Sequence, residues 1–304
     1  MPRMVQWIWL LLAVHFAVGA VAFTHFLATG QYTLITIYFT VEGTPFFIMM
    51  AVLECILALV CVAWMERGGL LRNAWAVIAL AAIARAAGTL LRSLSAIQLS
   101  GKSLGWRHAK PLGPFDDLGQ LGTIIGSPVA MCFLAVGLML ILLELRQRRI
   151  GARLTRFDIG LIVLILCFSA SQMIVIWPLF HSHPHFGVML LWTSDPLLLL
   201  LLIEAVVVRR AMIRLGDGFF ARCLGMYVLG IVVTSAGDAA IWADWHGLLT
   251  PALTALSWYI WFVAAAAFAS APAYQVAVIA QALEAGGRQA GACERRASVA
   301  PRVG

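Results

Sequence analysis

An all-α integral membrane protein, a bundle of eight transmembrane helices with both termini cytoplasmic, is the fold class that this sequence predicts. Three observations predict it. Apolar residues make up 62 % of the chain and charged residues 12 %, against about 45–50 % and about 25 % in ordinary soluble domains. The apolar runs reach the roughly 20 residues that a helix needs to cross a hydrocarbon core of about 30 Å. Arginines gather in every second link between the runs, as the positive-inside rule asks of cytoplasmic loops.

The spans begin near Val5, Gly43, Leu71, Leu118, Asp158, Gly187, Phe219 and Pro251. The links after the second, fourth and sixth hold Arg67 and Arg72, then Arg146, Arg148, Arg149 and Arg156, then Arg209, Arg210 and Arg214. Arg3 precedes the first span, and Arg288, Arg295, Arg296 and Arg302 follow the last. If each run crosses once, all of these lie on one side. The opposite loops, 29–42, 94–117, 181–186 and 242–249, carry Arg107, Lys102 and Lys110 against Glu42, Asp116, Asp117 and Asp244. The first run would also pass for a signal peptide with Ala20-Val21-Ala22 as its cleavage site. It stays apolar to Ala28, beyond the about 7–15 residues of such a region, so its retention is expected.

Two segments depart from plain spans. Residues 32–41 are rich in Thr, Ile, Tyr and Phe and are expected to form a strand-like or interfacial piece. The chain divides into residues 1–275, the transmembrane domain, and 276–304, a cytoplasmic tail that starts helical, breaks at Gly286-Gly287 and ends disordered. Prolines interrupt the fourth span at Gly126-Ser127-Pro128 and the sixth at Thr193-Ser194-Asp195-Pro196. Each removes a backbone donor, so a kink is expected at both.

The net charge of +7 reflects topogenic arginines beside anionic headgroups rather than a nucleic-acid face, for which no soluble domain exists. The partners expected are the bilayer, a small polar or anionic ligand, and a cytoplasmic or membrane protein. Helical spans place the protein in a bacterial inner membrane and not in an outer-membrane barrel. All of the cysteines fall in spans or on the arginine side, which argues against a structural disulfide.

Ionisable groups inside spans are costly and are functional candidates. Arg85, Gln172 and Asp195 each lie about eight residues, or roughly 12 Å, from the outer end of their helices. Asp238 sits one turn higher. A polar ligand pocket open to the outside would gather these four, with Arg85 paired to Asp195 and with Trp258 and Trp261 packing an apolar part of the ligand. A purely structural ion pair is the alternative. His15 and Glu54 both fall about 15 Å from either surface and would form a proton-linked pair; His15 as a simple interhelical donor is the alternative. Glu204 is expected to reach the inner arginines. His181, His183 and His185 alternate in an extended outer loop and would offer imidazoles to a divalent metal, although no carboxylate or cysteine completes a zinc signature.

Several chemistries are excluded by sequence. The only lysines, Lys102 and Lys110, lie in an outer loop, so no span offers a retinal Schiff base. No paired histidines on facing spans suit haem, and no HExxH, GxSxG or phosphate-loop motif occurs. A membrane enzyme ranks behind a binding role, with the outer histidines as its metal site.

The last two spans contain Ser235-Ala236-Gly237-Asp238, the turn Trp245-His246-Gly247, then Ser257-Trp258-Tyr259-Ile260-Trp261 and the alanine run Ala264 to Ala267. This stretch resembles the closing helices of multi-pass bacterial membrane sensory domains that precede diguanylate cyclase or histidine-kinase modules. The resemblance covers about a sixth of the chain. It implies a sensor, with Asp238 as a pocket residue. Only a short tail follows Gln275, so the output would lie in a partner. A membrane sensor or ligand-binding receptor is therefore the expected function, with a small-molecule transporter or an accessory subunit of a membrane complex as alternatives.

Overall fold

The computed structural model describes the backbone except at residues 32–33, 36–37, 39–42, 66, 101–116, 151–153, 183–185, 217, 246–247 and 300–304. Side chains are further left undescribed at 95–100, 117–120, 172–173, 175–182, 186–195, 241–242, 244–245, 255, 258 and 285–299. The described residues are helical apart from short links and ends, with no strand among them. The helices are α1 (Arg3–Thr29), α2 (Thr44–Trp64), α3 (Leu70–Ser100), α4 (Asp117–Ile124), α5 (Ala130–Gln147), α6 (Arg156–Ser182), α7 (Phe186–Leu215), α8 (Phe219–Trp245) and α9 (Pro251–Val299). A π-helical segment, Ile125–Val129, joins α4 to α5.

Six stretches are long and apolar enough to cross a membrane among the described residues: α1, α2, Leu70–Leu94, Leu121–Gln147, Phe219–Ala240 and Pro251–Glu284. By length and composition these are the helices of a multi-pass membrane protein. Their surfaces agree with that, since Trp7, Val21, Ile56, Leu80, Val136 and Val232 face outward. Apolar groups that would be a liability in water are the natural face of a bundle in lipid.

The packing order places the centre. α9 lies against α8, α2 and α1; α2 lies against α3; α3 against α4, the π segment and α5; α5 against α7; and α7 against α8. The chain thus closes a ring α9–α2–α3–α5–α7–α8, with α1 applied to α9 from outside and α6 to α7. Small residues let the helices approach. A Cβ on Gly122 would stand 2.9 Å from the Gly88 carbonyl oxygen, and one on Gly126 would stand 3.1 Å from Gly88 Cα, so α3 and the π segment touch backbone to backbone.

Three expectations change. The kink foreseen at Gly126-Ser127-Pro128 takes the form of the π segment, where the N–H of Ala130 reaches back to the carbonyls of Ile125 and Ser127. Of the segment expected to be strand-like, Leu34, Ile35 and Tyr38 are helical, and the Tyr38 side chain is buried. α9 does not stop at Gly286-Gly287 but runs on to Val299. A helical glycine costs only about 1 kcal/mol relative to alanine, which a long continuous helix absorbs.

Candidate functional site

The buried polar residues of the ring begin with α2. Glu54 is the eleventh residue of a 21-residue helix, about 15 Å from either end, and its side chain is only 3 % exposed. A carboxylate at that depth demands a partner. It finds one on the neighbouring helix. Arg85 Nε donates to Glu54 Oε2 at 3.1 Å, and Arg85 Nη2 donates to Glu54 Oε1, a two-pronged ion pair.

The other face of the guanidinium is covered by α9. The Arg85 Cζ stands 4.3 Å from the centroid of the Phe268 ring, a cation–π contact that gains strength away from water. Phe268 is in turn held by α8, because Gly230 leaves room for it: a Cβ there would meet the ring at 2.8 Å. Tyr227 of α8 lies beside Phe268, with ring centroids 6.3 Å apart, and beside Trp75 of α3 at 6.2 Å. Both Tyr227 and Trp75 are fully buried, and neither the Tyr227 hydroxyl nor the Trp75 Nε1 has a hydrogen-bond partner among the described residues. Four helices therefore meet around one charge pair. Towards the arginine-bearing end, the thiol of Cys61 donates to the carbonyl of Pro272 at 3.8 Å, tying α2 to α9.

A second cluster surrounds His15 of α1. Its imidazole stacks on Tyr38 at 4.9 Å and Phe46 at 4.6 Å and meets the edge of Phe262 at 4.2 Å. Its Nε2 has no hydrogen-bond partner among the described residues. The Tyr38 hydroxyl donates to the His15 carbonyl at 3.1 Å, and the Tyr259 hydroxyl donates to the Gly19 carbonyl at 2.7 Å. These rings dock α1 onto α9.

Of the pairings expected from depth, His15 with Glu54 is not the one seen here, and Arg85 with Asp195 falls on a side chain outside the described residues. Glu54 is engaged by Arg85, and His15 sits in an aromatic cage instead. The imidazole does touch α2, but at Phe46, eight residues and so about 12 Å along the helix from Glu54, while α3 brings Arg85 to Glu54. Arg85 likewise meets Glu54, while the Asp195 side chain lies outside the described residues, as do those of Gln172, Trp258 and His181; His183 and His185 lie outside them altogether. Of the remaining pocket residues, Asp238 is half-buried on α8. Trp261 packs against the adjacent Gly237, where a Cβ would stand 2.8 Å from its indole. Gly237 and Trp261 thus form an α8–α9 contact, and Asp238 follows Gly237 on α8. Among the described residues no group of three or more His, Cys, Asp or Glu is placed to hold a metal. Glu204 does not reach an arginine; it is buried, and neither oxygen has a hydrogen-bond partner among the described residues.

Sequence reasoning missed one motif with a readable signature. Thr155 and Asp158 form a capping box at the start of α6: Asp158 Oδ2 accepts from the Thr155 N–H at 2.7 Å and from its hydroxyl at 2.6 Å, while the Asp158 N–H donates back to Thr155 Oγ1 at 3.3 Å. Threonine followed three residues later by an acid is the signal for it.

No family model, curated protein or solved structure matches the chain.

Proposed function

We propose that the chain is a membrane sensor in which α9 carries the state of the buried centre to an output element on the arginine-bearing, cytoplasmic side. In this reading α6 and α7 cross the bilayer with the other six stretches, making eight spans. Both termini face the cytoplasm of a bacterial inner membrane.

One observation carries the proposal. α9 is a single helix of 49 residues, about 74 Å long at 1.5 Å per residue, more than twice what a bilayer span needs. Along that rod it presents Trp261 at the α8 seam, Phe262 against His15, Phe268 over Arg85, and the Pro272 carbonyl to Cys61. The Arg85–Glu54 pair, the His15 cluster and the Gly237–Trp261 contact thus all touch the same helix. A ligand bound at the Gly237–Trp261 contact beside Asp238, of small polar or anionic character, would shift that helix against a bistable centre, and the displacement would emerge at its far end.

The test reads that displacement directly. Spin labels are placed at Leu283→Cys on α9 and at Arg148→Cys beyond α5, both exposed positions, in protein whose native cysteines are replaced. Interspin distances are measured in nanodiscs, with and without Glu54→Gln and with a panel of phosphate, small carboxylates and amino acids. A sensor gives a distance distribution that moves with the substitution and with at least one of the probes. A distribution that none of them moves would rule the reading out.

A further inference from the structure

The ring holds a second acid that the first site does not use. Glu204 on α7 is 4 % exposed. Both of its carboxyl oxygens are buried without a hydrogen-bond partner among the described residues. The other described acids inside or at the ends of the helices fare differently: Glu54 has Arg85, Glu144 has Arg148, Asp158 has Thr155 and Arg210, and Asp238 has an interaction of its own.

Its surroundings offer no cation among the described residues. Arg209 and Arg210 follow on the same helix about 7–9 Å further along the axis, and Arg210 turns to Asp158 at 3.5 Å. The elements packed against α7 are α5, α6, α8 and the π segment. On α5, Cys132 is exposed and Glu144, Arg146 and Arg148 lie in the last turns; on α6, Cys167 is exposed and Arg156 and Asp158 form the first turn. On α8, Arg222 lies near the Phe219 ring, Cys223 is buried, Tyr227 faces Trp75 and Phe268, and Asp238 is some four turns from Arg222. The π segment contributes no titratable group. None of these forms an ion pair or a hydrogen bond with Glu204 among the described residues.

A bare carboxylate in such a place is costly, because burial removes the water that would stabilise its charge. Something positive must balance it. A hard divalent ion such as Ca²⁺ takes about 6–8 oxygen ligands, and no cluster of ligating side chains joins Glu204 among the described residues. A proton needs a single oxygen. We propose that Glu204 is a proton-binding site, a carboxyl that takes up and releases one proton towards the arginine-bearing side and so couples the α7 wall of the ring to protons. This inference stands apart from the sensor reading, since it concerns a different residue and a different readout.

Hydrophobic carbodiimide tests it, because the reagent adds to protonated carboxyls within apolar surroundings and leaves ionised ones unmodified. The native protein in nanodiscs is treated with dicyclohexylcarbodiimide from pH 6 to pH 9, and the modified peptides are identified by mass spectrometry. Glu204 is expected to be labelled at least about tenfold faster than Glu54, whose carboxylate is held in an ion pair, and its labelling is expected to slow as the medium becomes alkaline. Glu204→Gln removes that adduct and no other, while Glu204→Asp keeps it. No Glu204 adduct under conditions that modify added free carboxylic acid, or a rate unchanged by pH, would overturn the proposal. So would protection by Na⁺ or K⁺ at constant ionic strength, which would make the ligand a metal cation.

Discussion

Arg85 and Glu54 face each other across the α2–α3 interface with two donors on two acceptors, at the middle of the bundle and beneath the ring of Phe268. A buried pair of this kind is costly to break and much less costly to replace. Losing one partner strands the other charge and costs about 3–5 kcal/mol, whereas an apolar pair of similar volume is often neutral or better. Glu54→Leu and Arg85→Met should therefore each lower the stability of the detergent-solubilised protein strongly. The double variant should recover most of the loss in the same unfolding measurement. A double variant as unstable as the sum of the singles would mean that each residue has a separate partner.

Gly230 is where α8 makes room for Phe268, and through it for Arg85. An alanine Cβ would sit 2.8 Å from the ring, so Gly230→Ala must push Phe268 off its seat beneath the guanidinium. Overpacking of this kind costs about 1–3 kcal/mol, to which a weakened cation–π contact of about 0.5–2 kcal/mol is added. Phe268→Leu vacates the collision. The pair Gly230→Ala and Phe268→Leu should be less destabilised than the two single effects summed, a coupling that a double-mutant cycle reads directly.

How far the molecule is legible in its sequence divides along one line. Distance along a single helix is written in the chain, because residues advance about 1.5 Å each. Hence the helices fall where the apolar runs place them, Pro128 distorts its helix, and Glu54 and Arg85 lie at comparable depth. Which helices are neighbours is not written there. Nor is the offset of one helix along another: spacing gives His15 and Glu54 one depth, yet the imidazole meets Tyr38, Phe262 and Phe46, the last about 12 Å along α2 from Glu54. Glu204 looks close to arginines when only spacing is counted, but burial and the capture of Arg210 by Asp158 separate it from them. Lateral order comes from packing, and packing is carried by small residues such as Gly88 and Gly230 whose meaning appears only once their partners are known.

The crossing of α3 with the π segment gives a third prediction. Gly88 faces the Gly126 backbone so closely that a Cβ has no flexible side chain to displace. Gly88→Ala must part the two helices and should cost at least the roughly 1–3 kcal/mol of ordinary overpacking. Gly160 on α6 is its control, since a Cβ there meets nothing within 4 Å. Gly160→Ala should be neutral or stabilising by up to about 1 kcal/mol, from the lower backbone entropy of alanine in a helix. The unfolding midpoint should therefore fall for Gly88→Ala and hold or rise for Gly160→Ala, and equal shifts would contradict the close crossing.

The start of α6 offers a prediction about local order rather than global stability. Thr155 caps the helix through its hydroxyl, and Asp158 returns the bond to the Thr155 N–H while also facing Arg210 of α7 at 3.5 Å. α6 lies on the rim of the bundle and packs chiefly on α7, so its first turn relies on this cap. Thr155→Ala should cost about 1 kcal/mol, the usual worth of such a residue, seen as faster hydrogen exchange at the amides of the first α6 turn with little change in α9. Asp158→Ala should loosen the same amides further, because it removes the link to α7 together with the cap. Adding Arg210→Met should worsen Thr155→Ala more than it worsens Asp158→Ala, since the Asp158–Arg210 contact is already absent in the latter.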